Sequence, residues 1–205
     1  MGFSKVLVAY TTNAGTTADV AQIISEELGE TSADPRFTLL DDPLIDFAPN
    51  TSAFDDEGMP RQVTPLVENG VLRSFICDLD TAGRLGAKPT GHGSSRQPTN
   101  LIIHPGDTPY SEKLRGMKQG LLVHDYLGLG QGNPINGEFS VNLSLGYKVE
   151  NGEIVGRVKD VMLAGDAYHA LRDIVAISQE REWVNGWMSG LFPYVQVCKL
   201  SAVAK

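Results

Sequence analysis

The sequence predicts an α+β fold: a mainly antiparallel, β-rich domain with a few short helices, preceded by one βα unit. Three observations carry this reading. Two extended runs flank Asn69-Gly70 and two more flank Asn151-Gly152, and Asn-Gly between alternating apolar residues is a strong short hairpin signal. The helical patches are short and scattered. Only the first thirty residues read as a strand, a small-residue turn and a helix, so a succession of βα units is not expected.

Lys5 to Tyr10, rich in Val and Leu, predicts a buried strand, and Thr11 to Thr17 a turn. In the helix expected next, Val20, Ile23, Ile24 and Leu28 share one face and Gly29 is a natural stop. The texture then changes. TSADPRFTLLDDPLIDFAPNTSAFDDEGMP is irregular and holds four prolines, which places a boundary near Thr31 to Asp34 and divides the chain into segments 1–33 and 34–205. RQVTPLVENGVLRSFICD and GEFSVNLSLGYKVENGEIVGRVKDVML read as hairpins. TAGRLG after Asp80 and SEKLRGMKQG after Tyr110 read as short helices. DAYHALRDIVAISQE reads as a longer one, capped by Asp166, with Leu171, Ile174, Val175 and Ser178 on one face. FPYVQVCKLSAV reads as a final strand.

A hydrophobic fraction of 41% over 205 residues can fill a sizeable core. A formal charge of −8, with Lys and Arg scattered singly, argues against a nucleic-acid partner. No apolar run approaches the ~20 residues of a membrane span, and the N-terminus lacks a signal-peptide layout. A cytoplasmic protein with reduced thiols is expected, since Cys77 and Cys198 lie far apart without CxxC spacing, with a single disulfide between them as the alternative.

The chemistry-bearing residues are sparse. His92, His104, His124 and His169 form neither HxxxH nor HExxH, so no metal ligands are assigned. FDDEG (54–58) reads as a solvated acidic turn, being too short for an EF-hand series. Cys77, in FIC, and Cys198, in VQVC, read as buried small hydrophobes in strands. LGLGQGNPINGEF fails as a dinucleotide loop because a strand follows it, and it reads as a mobile or tightly bent loop. No catalytic residue is assigned.

The opening stretch resembles the start of flavodoxin through Tyr10, Thr12, Gly15, Thr17 and Ala21. Backbone N–H groups and hydroxyls in Thr12, Asn13, Ala14, Gly15, Thr16 and Thr17 would cradle a phosphate monoester. The further βα repeats of a flavodoxin do not follow, so no FMN is expected. An FMN-binding electron carrier is the alternative reading.

The remainder, from about Phe37 to Lys205, resembles the C-terminal domain of the TldD/PmbA (TldD/TldE, modulator of gyrase) metallopeptidase family. The segments that carry the resemblance are FTLLDDP, FDDEGMP, TPLVENGVLRSFICDLDTAGRLG, PTGHG, PTNLIIHPGD, GLLVHDYLG, NGEFSVNLSLGYKVENGEI and ALRDIVAIS, in collinear order. The PmbA/TldE side, which lacks metal ligands, is the more similar. The resemblance implies action on peptides within a heterodimer. In TldD an HExxxH helix and a cysteine of the C-terminal domain hold the metal. This sequence has no HExxxH. Where the family's cysteine would fall, between Ile177 and Pro193, it has Trp183, Trp187, Met188 and Ser189 and no Cys. Asp166, in LAGD, stands where members commonly have Asn. The expected function is therefore a non-catalytic or partner-dependent part of a peptidase system. Zinc is expected in a TldD-like partner, and pairing with that partner or with a second copy would cover exposed strand edges. A purely structural assembly subunit is a further alternative.

Overall fold

The computed structural model describes residues 33–131, 137–185 and 189–204, with backbone alone for 6–8 and 129–131. In chain order the elements begin with β1 (Val6–Val8), β2 (Leu39–Asp41), β3 (Thr64–Glu68), β4 (Val71–Leu72), α1 (Leu79–Leu85), β5 (Asn100–Ile103) and α2 (Tyr110–Arg115). They continue with β6 (Gln119–Gln131), β7 (Glu138–Glu150), β8 (Glu153–Val158), β9 (Val161–Asp166), α3 (Ala167–Arg172), β10 (Ile174–Val184), β11 (Ser189–Val197) and β12 (Ser201–Ala204). The α+β class expected from the sequence is the class observed. The helix face of Val20 to Leu28, the phosphate turn 11–17 and the Gly132 loop lie outside the described residues.

The chain divides into two compact units. The first comprises Met1–Ala14, Pro105–Arg181 and Pro193–Lys205. Its sheet runs β12-β9-β7-β6-β1-β11, with β8 on β7 and β10 on β11. The β1 strand is hydrogen-bonded on both sides, parallel to β6 and antiparallel to β11. Around β6 and β7 the core gathers Met117, Leu122 and Val149, packed by Tyr110, Leu114, Tyr147 and Tyr194. The rings of Tyr110 and Tyr194 meet at a centroid distance of 4.5 Å. Burying each such side chain stabilises by roughly 1.5–3 kcal/mol. The second unit comprises Gly15–His104 and Glu182–Phe192. In it β11 runs parallel to β5, then β2, β3 and β4 follow antiparallel.

Both Asn-Gly pairs are hairpin tips. Asn69 and Gly70 have φ of 51° and 78° between β3 and β4, and Asn151 and Gly152 have 50° and 83° between β7 and β8. Two consecutive positive φ values are what a type I′ turn requires and what Asn-Gly adopts at least cost. Short α1 is fixed at both ends. The Asp78 carboxylate accepts from the Thr81 N–H at 2.7 Å, and Gly86, at φ 62°, lets Ala87 N–H reach the Ala82 carbonyl at 2.9 Å.

The sequence reading fails in four places. The helix expected through Ser178 ends at Arg172. Asp166 does cap it, accepting from His169 N–H at 2.9 Å, but Asp173 leaves helical geometry and Ile174 to Val184 become a strand. The apolar spacing suited a helix, yet Gly106 and Thr108 bring a chain segment against Ser178 and Gln179, so backbone pairing decides. Cys77 lies in irregular chain, its N–H and carbonyl both taken by Thr90 rather than by a ladder. The single final strand is two, β11 and β12, divided by a turn at which Lys199 has φ 66°. Cys198 therefore sits half-buried in that turn instead of within a strand. The segment LGLGQ, expected as loop, continues β6 to Gln131 because it keeps pairing with β7 as far as Ser140.

Candidate functional site

A dense polar arrangement lies in the second unit, where three of the family-like segments meet. Asp41 ends β2, Thr99 precedes β5, and Thr90 and His92 belong to the PTGHG loop. His92 Nε2 lies 2.8 Å from Asp41 Oδ2 and its Nδ1 lies 2.9 Å from Thr90 Oγ1. Asp41 also accepts from the Thr99 N–H at 2.7 Å and from the Thr99 hydroxyl. The side chains of His92 and Asp41 are completely enclosed. A buried charge or polar ring persists only when its partners are in place, and every hydrogen-bonding atom of this pair has one.

The glycines of PTGHG explain how the loop reaches that position. Gly91 and Gly93 have φ of 73° and 67°. A Cβ on Gly91 would lie 2.5 Å from the Pro60 carbonyl, and one on Gly93 would collide with the Asp56 carboxylate. The loop is thus pressed against the acidic hairpin 54–60. Asp56 accepts from the Ser94 N–H at 3.0 Å and from its hydroxyl, and the Ser94 hydroxyl above all holds the Asp56 carboxyl below its usual range. Arg61 donates to the Gly91 carbonyl at 3.0 Å. Asp55 accepts within its own turn from Glu57 and Met59 N–H, and Glu57 accepts from Leu79 N–H at the start of α1. The three carboxylates of FDDEG serve three separate groups of backbone donors rather than converging on one point.

A second arrangement lies in the first unit. Asp166, His169, Ala170, Asp173, Cys198, Lys199 and Leu200 line a hollow of about 250 Å³. His169 Nδ1 stands 3.1 Å from Asp166 Oδ2, and Lys199 is paired with Asp173. The His169 N–H holds the Asp166 carboxyl below its usual range, and Asp173 raises the Lys199 ammonium.

These arrangements do not suit a resident zinc ion. Among the described residues the one enclosed histidine, His92, has both ring nitrogens engaged, and burial, followed by the Asp78 charge, pushes the Cys77 thiol up and away from the thiolate a metal needs. His104 and His124 are exposed. Among the described residues no group of three or more His, Cys, Asp or Glu is arranged to hold a metal. The phosphate-cradle residues Thr12, Asn13, Ala14, Gly15, Thr16 and Thr17 lie outside the described residues.

Chemically, the His92–Asp41 pair has the hydrogen bond of a proton relay but no opening to solvent. Its third member, Thr90, is tied to Cys77. What it does is lock PTGHG, β2 and the start of β5 into one shape. None of these residues stands out as a site in the sequence. The available signal was a histidine between two glycines, with a carboxylate pair in FTLLDDP more than fifty residues away, and nothing local joins the two.

The polar lock in this mixed sheet is built from PTGHG, FTLLDDP and PTNLIIHPGD, three of the segments that carry the family resemblance. The family model of the PmbA/TldA metallopeptidase C-terminal domain matches residues 3–203, so the chain belongs to the PmbA/TldD family. A metalloprotease of Methanocaldococcus jannaschii is 29% identical over 192 residues, covering 90% of this chain and 42% of that protein. A Thermotoga maritima structure, described as a candidate modulator of a DNA gyrase, superposes with a TM-score of 0.85 at 31% identity over 98% of this chain and 50% of its own. TldE from Thermococcus kodakarensis shares the fold, with a TM-score of 0.79 at 23% identity over 100% of this chain and 50% of that one. The chain thus spans about half the length of the relatives it matches. The matched range takes in the N-terminal stretch as well as the part from Phe37 onward.

Proposed function

We propose that this chain is a partner-dependent, non-catalytic domain of a PmbA/TldD-type metallopeptidase system in peptide proteolysis or maturation. Residues 34–205 supply the β-rich scaffold, and the zinc and the HExxxH helix belong to a TldD-like subunit with which the scaffold assembles. The observation that carries this reading is the match to a metallopeptidase C-terminal domain in a chain whose enclosed histidine is spent on a structural lock. The setting is cytoplasmic. No helix among the described residues is long and apolar enough to cross a membrane. The test is cleavage of casein and of oligopeptides by the chain alone, by a TldD-type subunit alone and by the two mixed. The expected result is cleavage with the TldD-type subunit present and none by this chain alone. Chelator-sensitive cleavage by this chain alone would contradict the proposal.

A further inference from the structure

The loop from Asp42 to Ala53 in the second unit holds an aromatic side chain out into solvent at a cost in backbone strain. Phe47 is fully exposed, at 103% of its reference area, and has φ 62°. It sits at the third position of a turn closed by Ala48 N–H on the Ile45 carbonyl, a place ordinarily taken by Gly or Asn. A bulky residue in the left-handed region is an outlier, and such strain persists only where the surroundings impose it. The surroundings do impose it here. The Asn100 side chain donates to the Asp42 carbonyl at 3.1 Å and accepts from Asn50 N–H at 3.2 Å. The Asn50 side chain donates to the Thr99 carbonyl at 2.8 Å, and the Thr51 hydroxyl donates to the Ile45 carbonyl. Leu44, in the same loop, is also exposed.

The charge carried by this loop is one-sided. From Asp42 to Ala53 there are two carboxylates, Asp42 and Asp46, and no Lys or Arg. We infer that Phe47 and Leu44 are the apolar anchor of a docking surface for a different protein, one presenting an apolar pocket rimmed by Lys or Arg. A loop whose backbone is already held in shape by these hydrogen bonds loses little freedom on binding, and the acidic flank steers a cationic rim toward it. The same flank, on a chain of charge −8, repels a second copy.

This inference rests on the partner reading above, and the probe is the same TldD-type subunit. Its binding to the wild-type chain and to Phe47→Gly is titrated calorimetrically at low and high salt, with sedimentation of each chain alone. Glycine relieves the positive φ, so the variant should melt at the same or a higher temperature. Its affinity should fall about tenfold or more, as for a truncated anchor, and wild-type binding should weaken as salt rises. Equal affinity of the variant would overturn the docking surface and leave the partner reading intact. No binding by the wild-type chain would overturn both. Self-association lost in Phe47→Gly would assign the loop to a second copy and also overturn the inference.

Discussion

His92 Nε2 lies 2.8 Å from Asp41 Oδ2, with neither side chain touching solvent. The two residues are 51 positions apart, so their contact closes a loop that contains the acidic hairpin, two strands and α1. Removing one partner leaves the other buried and unsatisfied. Asp41→Ala or His92→Ala should therefore lower unfolding free energy by about 1–3 kcal/mol, read from urea denaturation. The two single effects should not add in the double variant, because each already breaks the same contact. A loss well under 1 kcal/mol in either single variant would show that the pair is not the lock described.

Glycine substitutions separate conformational strain from collision. Gly58 has φ 77° with open space where a Cβ would go, so Gly58→Ala should cost only the left-handed penalty of about 1–2 kcal/mol. Gly70 has nearly the same φ, 78°, but its Cβ would lie 2.4 Å from the Ala33 carbonyl. Gly70→Ala should cost a further ~1–3 kcal/mol from overpacking against backbone. Equal melting temperatures for the two variants would contradict this.

The acid limb of stability follows from depressed carboxylates. Asp34 is held below its ordinary value of 3.8 chiefly by the Arg36 guanidinium, Asp56 by the Ser94 hydroxyl, and Asp166 by the His169 N–H. A depressed group binds fewer protons folded than unfolded near its ordinary value. Its contribution is therefore present above that value and is lost as pH falls through the folded one. The urea midpoint should hold from neutrality to about pH 5 and fall below about pH 4. Asp166→Asn should make that fall shallower, and an unchanged acid limb would count against the assignment.

The two thiols should differ in reactivity. Cys77 is buried and its thiol is pushed up, first by burial and then by the Asp78 charge, whereas Cys198 is half-buried beside the hollow near His169. A chromogenic disulfide reagent should label Cys198 in the native protein and reach Cys77 only on unfolding. Two thiols titrating at equal rates would contradict the burial assigned to Cys77.

Local chemistry was legible in the sequence and long-range pairing was not. Asn69-Gly70 and Asn151-Gly152 announce their turns because the backbone conformation is a property of those two residues alone. Asp166 announces a helix start for the same reason. Where that helix stops is settled by Gly106 and Thr108, some seventy residues earlier, and no periodicity within ALRDIVAIS reports them. The His92 lock is a similar case. PTGHG and FTLLDDP were visible as family-like segments, but their meeting depends on Gly91 and Gly93 allowing the loop to approach Pro60 and Asp56.

On the proposed function, the zinc of the peptidase system belongs to a partner and not to this chain. The direct measurement is elemental analysis of the purified chain, a TldD-type subunit and their complex, each dialysed against the same zinc buffer. Stoichiometric zinc is expected in the TldD-type subunit and in the complex, with none retained by this chain alone. One equivalent of zinc bound by the isolated chain, and lost on replacing one of its four histidines or two cysteines, would contradict it.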